Sequence, residues 1–239
     1  MLERVVERTR RSKWVDEVIV ATTVGSSDNP IESLCAAKGY GCYRGSAGDV
    51  LDRYYQAAKI HRADVIVRIT ADCPLIDPGV VDQTIEAFFG NPMPEDAVLP
   101  AASADRYSWD FAANRLPPPW KRTFPIGLDT EVCTFRALER AWKEAREPHE
   151  REHVMPYLYE QEGRFRVLLI NHDPDYGALR WTVDTAEDLE LARRIYAYFG
   201  GRDDFGWEGV LALFEEHPEL GAINAGVRHK SVHEVDSRG

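Results

Sequence analysis

A short β-branched run, with an aspartate and a proline just behind it, constrains this chain more than any other feature. Residues 65–69 read Val-Ile-Val-Arg-Ile and are bounded on both sides by polar residues. The run is too short and too rich in β-branched side chains for a helix, so it predicts a buried strand of a parallel sheet. Pro74 prevents the strand from continuing. Asp72 therefore lies just past the carboxyl end of the strand, where open α/β sheets have their ligand crevice.

Asp72 has two interpretations at this stage. A carboxylate in the crevice is well placed to hold a metal ion. Alternatively, Asp72 only caps a turn before the helix that begins near Pro78. The stretch alone does not separate the two.

The composition sets the class of protein. The chain has 239 residues, of which 44% are hydrophobic, enough for a sizeable core. We therefore expect a single domain over residues 1–239. The formal net charge of −11 provides no basic field to hold nucleic acid or an anionic membrane surface. A phosphate-bearing ligand would have to be held by local arginines, backbone N–H groups or a metal ion.

The cysteines and the hydropathy pattern indicate a cytoplasmic protein. The four cysteines show no paired metal-ligand spacing, which is typical of free thiols in a reducing compartment. The sequence has no apolar run of 18 residues, and its first residues do not resemble a signal peptide.

Predicted helices and strands alternate along the chain, as they do in α/β proteins. The expected helices are 1–12, 30–38, 50–58, 78–89, 135–142, 189–199 and 204–216. The expected strands are 18–22, 40–43, 65–69, 97–99, 165–170 and 179–183. Gly39 is expected to end the second helix, and Thr185 with Asp188 resembles a capping box.

One segment breaks this alternation. Residues 100–123 have no clean period and carry three consecutive prolines among aromatic side chains. Linkers are poor in aromatics, so the segment is interpreted as an irregular excursion that serves as a lid or a partner-binding surface. A polar tail is expected from about residue 226.

Three further carboxylates are candidate functional groups. Asp129 and Glu131 are two residues apart, so on an extended chain they share one face and could bind a metal ion or sugar hydroxyls. The alternative is an edge strand with an acidic solvent face. Asp184 follows a predicted strand, as Asp72 does, although an acidic cluster also suits the positive end of the next helix.

A pair of histidines is a candidate zinc site. His149 and His153 match the pattern His-Glu-x-x-His, in which two histidines chelate zinc and the glutamate activates water. Pro156 would disturb the helix, and no third ligand follows at a familiar spacing. A charged helix start is the preferred interpretation, and a zinc hydrolase is kept as a remote alternative.

Four segments occur in one order along the chain and together carry a resemblance to a known family. They are residues 69–76 (Ile-Thr-Ala-Asp-Cys-Pro-Leu-Ile), 127–132 (Gly-Leu-Asp-Thr-Glu-Val), 150–154 (Glu-Arg-Glu-His-Val) and 180–189 (Arg-Trp-Thr-Val-Asp-Thr-Ala-Glu-Asp-Leu). The chain resembles the cytidylyltransferases of the acylneuraminate and 3-deoxy-manno-octulosonate type, and within them the spore-coat polysaccharide biosynthesis subfamily. The resemblance implies a Rossmann-like three-layer α/β/α sandwich with a mostly parallel sheet. It also implies a reaction in which CTP and a sugar give a CMP-sugar and pyrophosphate.

The resemblance assigns roles to individual residues. It implies that Asp72 and Asp184 are the catalytic carboxylates that hold Mg²⁺, and we predict that their carboxylates converge on one site. The residues that would lie near the nucleotide are Arg44, Asp52, Arg53 and Arg68. The residues that would lie near the sugar are Gly127, Asp129, Glu131 and Arg180. Nucleotidyl transfer needs positioning and charge stabilisation more than covalent help, which suits a pair of carboxylates with a magnesium ion.

The chain departs from the family pattern at its start. Family members begin with a strand and a loop rich in glycine and arginine that grips the triphosphate, whereas this sequence starts at the helix that follows. The chain as given is therefore expected to turn over little or not at all, and a non-catalytic sugar- or partner-binding relative is the alternative. The missing strand is expected to leave a gap near the centre of the sheet.

An oligomer is expected from the aromatic segment. If its side chains were left in water, Tyr107, Trp109, Phe111 and Trp120 would form a large apolar patch for a monomer. We predict a two-fold symmetric homodimer with residues 100–123 or the adjacent strands at the interface. The competing expectation is a lid over the chain's own sugar site.

Overall fold

The computed structural model describes residues 1–90 and 107–228. Its helices are α1 (Leu2–Thr9), α2 (Asn29–Lys38), α3 (Val50–Ile60), α4 (Pro78–Phe89), α5 (Phe135–Glu144), α6 (Pro148–His153), α7 (Pro156–Tyr159), α8 (Ala186–Tyr198) and α9 (Trp207–Glu216). Its strands are β1 (Ile19–Thr23), β2 (Gly41–Gly45), β3 (Val65–Arg68), β4 (Phe111–Ala113), β5 (Glu131–Thr134) and β6 (Val167–Leu169). The strand predicted at 97–99, the first part of the predicted excursion and most of the predicted tail lie outside the described residues.

The strands form two sheets. β1 and β2 pair in parallel, with Ile19 opposite Gly41. The second sheet has the order β3-β5-β4-β6. In it β5 runs antiparallel to both of its neighbours and β4 runs parallel to β6, so three of the four strands point the same way. The expected α/β class with a mostly parallel sheet is therefore confirmed.

Side chains on β4 show why the second sheet is covered on both faces. Phe111 and Ala113 belong to a core with α3, α5 and α7, whereas Ala112 belongs to a core with α1 and α4. Successive side chains of a strand point to opposite faces, so a strand buried throughout needs a helical layer on each side. All three residues of β4 are fully buried. This arrangement is the expected three-layer sandwich.

The helix ends in the structure agree with the capping residues predicted from the sequence. Gly39 ends α2 in the left-handed conformation with φ 66°. Thr185 and Asp188 form a reciprocal capping box at the start of α8. Asp77 begins α4 by accepting hydrogen bonds from the backbone N–H groups of Gly79 and Val80.

The structure corrects the prediction of an irregular excursion for the described residues 107–123. Residues 107–123 are not wholly irregular, because Phe111–Ala113 is the strand β4 at the inside of the second sheet. Tyr107 and Phe111 are buried, Trp109 is half-buried, and only Trp120 is exposed, at 38%. Three residues are too few to show a strand period, and their burial comes from partners that are distant in the sequence. The premise of a large exposed aromatic patch is therefore wrong for this part of the segment.

The strand predicted at 179–183 is also wrong. That stretch makes only an isolated parallel bridge, between Ile126 and Arg180. Asp184 therefore follows an extended segment that is held by a few backbone hydrogen bonds, not a regular strand.

Two expectations about the environment can be compared with the described residues. Cys35, Cys42, Cys73 and Cys133 are free thiols, as expected. In the two described ranges, no helix is long and apolar enough to cross a membrane.

Candidate active site

The backbone joins the segments that carry the two predicted catalytic aspartates. The carbonyl oxygen of Asp72 accepts hydrogen bonds from the N–H of Val183, at 2.8 Å, and from the hydroxyl of Thr182, at 3.2 Å. Asp72 follows β3, and Asp184 is the residue after Val183. Residues 112 positions apart in the sequence (184 − 72) thus lie on adjoining segments past the carboxyl end of β3.

Arg180 connects the carboxylate of Asp184 to a buried carboxylate. Its guanidinium donates to Asp184 Oδ2 at 2.5 Å and makes two hydrogen bonds to the buried Asp188, at 3.0 and 2.9 Å. Asn224 donates to Asp188 Oδ1 at 2.8 Å. The side chain of Asp184 stays 50% exposed, so it can still meet a ligand.

The pKa of Asp188 reflects this network. Burial would raise the pKa of the carboxyl, but the hydrogen bonds from Arg180 and Asn224 outweigh burial and lower the pKa to about 2. Asp188 also accepts from the backbone N–H groups of Asp184 and Thr185, at 3.1 Å each. Asp188 therefore fixes the backbone that carries Asp184.

Gly127 brings a second loop against the same segment. It has φ +105°, and a Cβ at this position would lie 2.6 Å from the backbone nitrogen of Thr182. The neighbouring Ile126 exchanges hydrogen bonds with the 179–181 backbone, accepting from Trp181 at 2.7 Å and donating to Leu179 at 2.8 Å. Glycine is required here because two backbones meet with no room for a side chain.

Asp129 and Glu131 do not form a free carboxylate pair, because each is neutralised by its own arginine. Arg122 contacts both oxygens of Asp129, one of them at 3.1 Å. Glu131 lies directly opposite Arg68 in the β3–β5 register, and their side chains are hydrogen-bonded at 2.5 Å. These pairs leave the positions of both acidic groups fixed.

Arg68 and Tyr54 border this region. Burial would lower the pKa of Arg68, but Glu131 outweighs burial and the pKa is raised. Burial raises the pKa of Tyr54, whose ring lies beneath the Arg68 guanidinium at 5.9 Å. Asp72 acts electrostatically on both side chains, which puts the β3 end and the nucleotide-side candidates in one neighbourhood.

Cys73 links Asp72 to the sugar-side candidates. Burial raises the pKa of this thiol, and the charges of Asp72 and Asp129 raise it further. Both carboxylates therefore act on one thiol next to the turn that follows β3. Of the predicted site residues, the structure groups Asp72, Asp129, Glu131 and Arg68 around this turn, and connects Gly127, Arg180 and Asp184 to it through the backbone.

In the part of the chain that the structure describes, no hydrogen bond joins Arg44 or Asp52 to that group. Arg44 donates to the carbonyl oxygens of Thr23 and Gly25, each at 2.8 Å, and to Glu32 at 2.6 Å, so its guanidinium braces the loop between β1 and α2. Asp52 accepts from Trp142 at 2.8 Å. Their proposed nucleotide roles stay predictions.

Arg53 is only partly bonded. Its guanidinium donates to the carbonyl of Ser46 at 2.7 Å, while its buried Nε has no hydrogen-bond partner within residues 1–90 and 107–228.

The carboxylates past the carboxyl end of β3 suit a hard cation that also binds a ligand. Asp72 and Asp184 offer carboxylate oxygens; Asp72 is half-buried and Asp184 is exposed. Mg²⁺ is commonly held by one or two carboxylates together with substrate phosphates, so these residues fit the ion. Within residues 1–90 and 107–228, no group of three or more His, Cys, Asp or Glu side chains is arranged to hold a metal ion on its own.

The histidine pair gains no support as a zinc site from the described residues. α6 ends at His153, and His149 contacts Glu160 at 2.9 Å. Burial lowers the pKa of His153, whose Nε2 has no hydrogen-bond partner among the described residues. Glu150 lies between them in a capping box with Glu147, which is the charged helix start preferred from the sequence.

Several residues that shape the site were not identified from the sequence. Arg122 lies in the irregular segment, and nothing in its surroundings signals a partner at Asp129. Asn114 is buried and bridges Leu128 O, at 2.7 Å, and Thr130 N, at 2.8 Å, which fixes the loop before β5. In the sequence, the available signal is a polar residue, Asn114, that directly follows the apolar pair Ala112 and Ala113.

Comparisons with known proteins identify the family of this chain. The cytidylyltransferase family profile matches residues 1–196. An uncharacterized protein of Methanocaldococcus jannaschii is 36% identical over 239 residues, covering 99% of this chain and 88% of that protein. The spore coat polysaccharide biosynthesis protein SpsF of Bacillus subtilis is 26% identical over 226 residues, covering 92% of this chain and 85% of that protein.

A solved structure gives the same assignment. The structure of a cytidylyltransferase from Leptospira borgpetersenii has a TM-score of 0.81 and 32% identity, and the match covers 95% of this chain and 87% of that chain. The chain belongs to the cytidylyltransferase family of nucleotidyltransferases.

Proposed function

We propose that this protein is a CMP-sugar synthetase. In this reaction a sugar hydroxyl oxygen forms a bond to the α-phosphorus of CTP, and the bond to the β-phosphate bridging oxygen breaks. The products are a CMP-sugar, pyrophosphate and the proton of the hydroxyl group. The substrate is a sugar acid or a related sugar, and the product serves surface polysaccharide biosynthesis, as the name of the Bacillus subtilis relative suggests.

One observation supports this proposal above the others. The hydrogen bond from Val183 N to Asp72 O holds the segments of Asp72 and Asp184 together past the end of β3. That edge is where open α/β sheets bind their ligands, and two carboxylates there can share a cation with a triphosphate. An acidic chain with net charge −11 has particular need of a cation to accept CTP.

Each side chain has a stated part in the proposal. Mg²⁺, when bound, would supply positive charge to the triphosphate and the departing pyrophosphate. Asp72 and Asp184 would hold that ion, Arg180 and Asp188 orient Asp184, and the Gly127 loop would border the site on the sugar side. Arg68 with Glu131, and Arg122 with Asp129, provide polar groups in fixed positions beside the sugar.

We further propose that the protein acts in the cytoplasm and forms a homodimer. Free thiols and a nucleotide substrate suit the cytoplasm. A two-fold homodimer is proposed with Trp120 at or beside the interface, because Trp120 is among the few large apolar side chains exposed in the described residues.

The test is CTP-dependent release of pyrophosphate in the presence of Mg²⁺, together with Mg²⁺-dependent binding of CTP measured by calorimetry. Asp72→Asn removes the ligand charge without changing the shape of the side chain. We expect it to weaken the Mg²⁺-dependent binding of CTP by more than the roughly 10–100-fold that loss of an outer-shell partner costs, with the fold intact. Asp204→Asn is the matched control, since Asp204 is 61% exposed and its only described ion pair is with Arg202.

The outcomes separate the alternatives. CTP binding that needs Mg²⁺ and is lost in Asp72→Asn, with no turnover, would favour the non-catalytic relative. Mg²⁺-dependent CTP binding that is unchanged in Asp72→Asn would refute the role of Asp72. Absence of CTP binding under all conditions would refute the proposed function.

A further inference from the structure

Arg115, the second residue after β4, is a basic group without a counter-charge. Its backbone is fixed on both sides, because Asn114 hydrogen-bonds to the loop before β5 and Leu116 is buried in the core that contains Phe111. The side chain is half-buried, and its guanidinium has no hydrogen bond or ion pair in the part of the chain that the structure describes. An unpaired guanidinium on a fixed backbone is a ready binding group for an anion.

His153, the last residue of α6, lies near Arg115. The residues that directly follow these two, Val154 and Leu116, pack in one core. The charges of Arg115 and Arg68 both act on the His153 imidazole. The buried Nε2 of this ring has no hydrogen-bond partner among the residues that the structure describes. Because buried polar atoms are normally satisfied, a partner from outside the chain is expected here.

A strained turn sets the direction of His153. Its carbonyl oxygen accepts a hydrogen bond from Met155 N at 2.8 Å, and Val154 between them has φ 72° and ψ −53°. These angles define the γ-turn with positive φ, which is rare and strained. A β-branched residue at positive φ is a backbone outlier, and such outliers cluster at functional sites. Val154 is fully buried, so the core holds His153 in a position that continuation of the helix would not give it.

The His153 imidazole is neutral at pH 7. Burial lowers its pKa most, and the positive charges of Arg68 on β3 and Arg115 after β4 lower it further. On α6, Glu152 opposes this effect and His149 adds to it. Since the ordinary pKa of histidine already lies below pH 7, the imidazole carries one N–H donor and no charge.

The groups around His153 leave a single positive charge uncompensated. Arg68 and Ala113 both lie opposite Glu131 in the second sheet, so the Arg68–Glu131 ion pair adjoins the end of β4 that leads to Arg115. That pair is neutral as a whole, and the imidazole is neutral as well. Arg115 therefore supplies the net charge of this group of side chains.

We propose that Arg115 and His153 form a carboxylate-binding site, which recognises the acidic group of the sugar substrate. That the ligand is a sugar rests on the proposed function, whereas the binding of a carboxylate does not. The planar guanidinium of Arg115 offers parallel N–H donors to both carboxylate oxygens, and the imidazole of His153 donates a further hydrogen bond. A monoanion matches the single free charge, whereas a phosphate dianion would bring a second negative charge close to Glu131.

The experiment measures the binding of acetate, a minimal carboxylate probe, by NMR titration of the His153 imidazole in the full chain. Acetamide is the neutral probe of nearly the same shape, and His153→Gln identifies the signal. We expect acetate to shift the signal saturably and acetamide to bind at least about tenfold more weakly. Bound acetate should also raise the pKa of His153, because a negative charge favours the protonated imidazole, so acetate should bind more tightly as the pH falls.

Variants of Arg115 separate its charge from its shape. Arg115→Gln should weaken acetate binding at least about tenfold, and Arg115→Lys, which keeps the charge but not the planar donors, should weaken it less. Without acetate, Arg115→Gln should raise the pKa of His153, a change that a merely structural role would not produce. Arg202→Gln is the matched control and should leave acetate binding unchanged, since the Arg202 side chain is 70% exposed and pairs with Asp204. Equal melting temperatures show that each variant is folded.

Sugar acids then test the ligand class. Glucuronate, N-acetylneuraminate and 3-deoxy-manno-octulosonate are compared with their methyl esters for displacement of acetate. At least one acid should displace acetate, with its ester at least about tenfold weaker. The acetate titration needs neither CTP nor Mg²⁺. Absence of acetate binding in a chain that binds CTP would therefore refute this site alone, and failure to bind CTP would refute the proposed function alone.

Four other results would overturn the proposal. Equal binding of acetate and acetamide would show that charge is not recognised. Unchanged acetate binding in Arg115→Gln would remove Arg115 from the site. Tighter binding of inorganic phosphate than of acetate would assign the site to a phosphate group. Displacement of acetate by none of the sugar acids would show that the site does not take the sugar substrate.

Discussion

Arg180 and Asp188 form a buried ion pair beneath the exposed carboxylate of Asp184, with the Asp188 side chain 0% exposed and the Arg180 side chain 8% exposed. Two hydrogen bonds join the Arg180 guanidinium to the Asp188 carboxylate, and Asn224 donates a further hydrogen bond to Asp188. A single guanidinium thus connects a rigid, buried acid to an accessible one. The geometry of Asp184 therefore depends on Asp188, a side chain that is fully buried.

Asp188→Asn should therefore destabilise the protein strongly. Removal of one charge leaves the Arg180 guanidinium buried against fewer partners, and loss of one member of a buried pair costs about 3–5 kcal/mol. Urea unfolding at neutral pH measures the change. Asp204→Asn, at an exposed site, should lie within about 0.5 kcal/mol of the unmodified chain, and a similar value for both variants would contradict the structural role.

The same pair predicts a pH dependence. The pKa of Asp188 is about 2 in the folded chain, against an ordinary value of 3.8. Because the folded-state pKa is the lower one, the stabilisation is fully present above pH 4 and is lost as the pH falls toward 2. It amounts to about 2 kcal/mol. Unfolding free energies of the unmodified chain and Asp188→Asn should converge over this range, and parallel curves would show that Asp188 is not the titrating group.

Gly127→Ala should disturb the site without removing any functional group. The new Cβ would lie 2.6 Å from Thr182 N and 2.7 Å from Trp181 C, so the 180–184 segment would have to shift. Gly163→Ala is a matched control, because Gly163 also has positive φ, at +77°, but meets nothing within 4 Å. We expect Gly163→Ala to cost about 1 kcal/mol and Gly127→Ala about 1–3 kcal/mol more. Equal costs in thermal unfolding would mean that the loop adapts.

Glu131→Gln tests the cross-strand pair with Arg68. The change leaves a buried guanidinium without its counter-charge and should cost about 3–5 kcal/mol. The double variant Arg68→Met, Glu131→Gln also removes the unpaired positive charge of Arg68. It should recover part of the lost unfolding free energy, since hydrophobic replacement of a buried pair is often neutral. Additive losses in the double variant, measured by urea unfolding, would show that the two side chains do not interact.

The sequence predicted the features whose causes are local. The β-branched run at β3, Gly39 at the end of α2 and the Thr185–Asp188 capping box each depend on neighbours within a few residues. Asp72 could be placed at the ligand edge because strand and proline lie in one short stretch. The order of four separate segments carried the family resemblance.

Features that depend on distant partners were not predicted. β4 is only three residues long, and its burial comes from β5 and β6 rather than from any period of its own. The partners of Asp129 and Glu131 are arginines on other segments, so spacing alone suggested a carboxylate pair that the fold does not leave free. The extended stretch before Asp184 resembled a strand because apolar residues there pack against α9 without joining a sheet.

The homodimer prediction now depends on fewer side chains than the sequence suggested. Tyr107 and Phe111 are buried within the chain, so the exposed part of the described aromatic segment is centred on Trp120, which contacts Tyr159 edge-to-face at 6.2 Å. Trp120→Ala should weaken a dimer formed through this surface by about 2 kcal/mol or more, which is the size of an interface hot spot. Tyr198→Ala, which changes another exposed aromatic at 52% on α8, is the control and should leave the dimer unchanged. Light scattering across micromolar concentrations measures the mass, and a monomeric mass for the unmodified, folded chain would rule the dimer out and leave the lid interpretation.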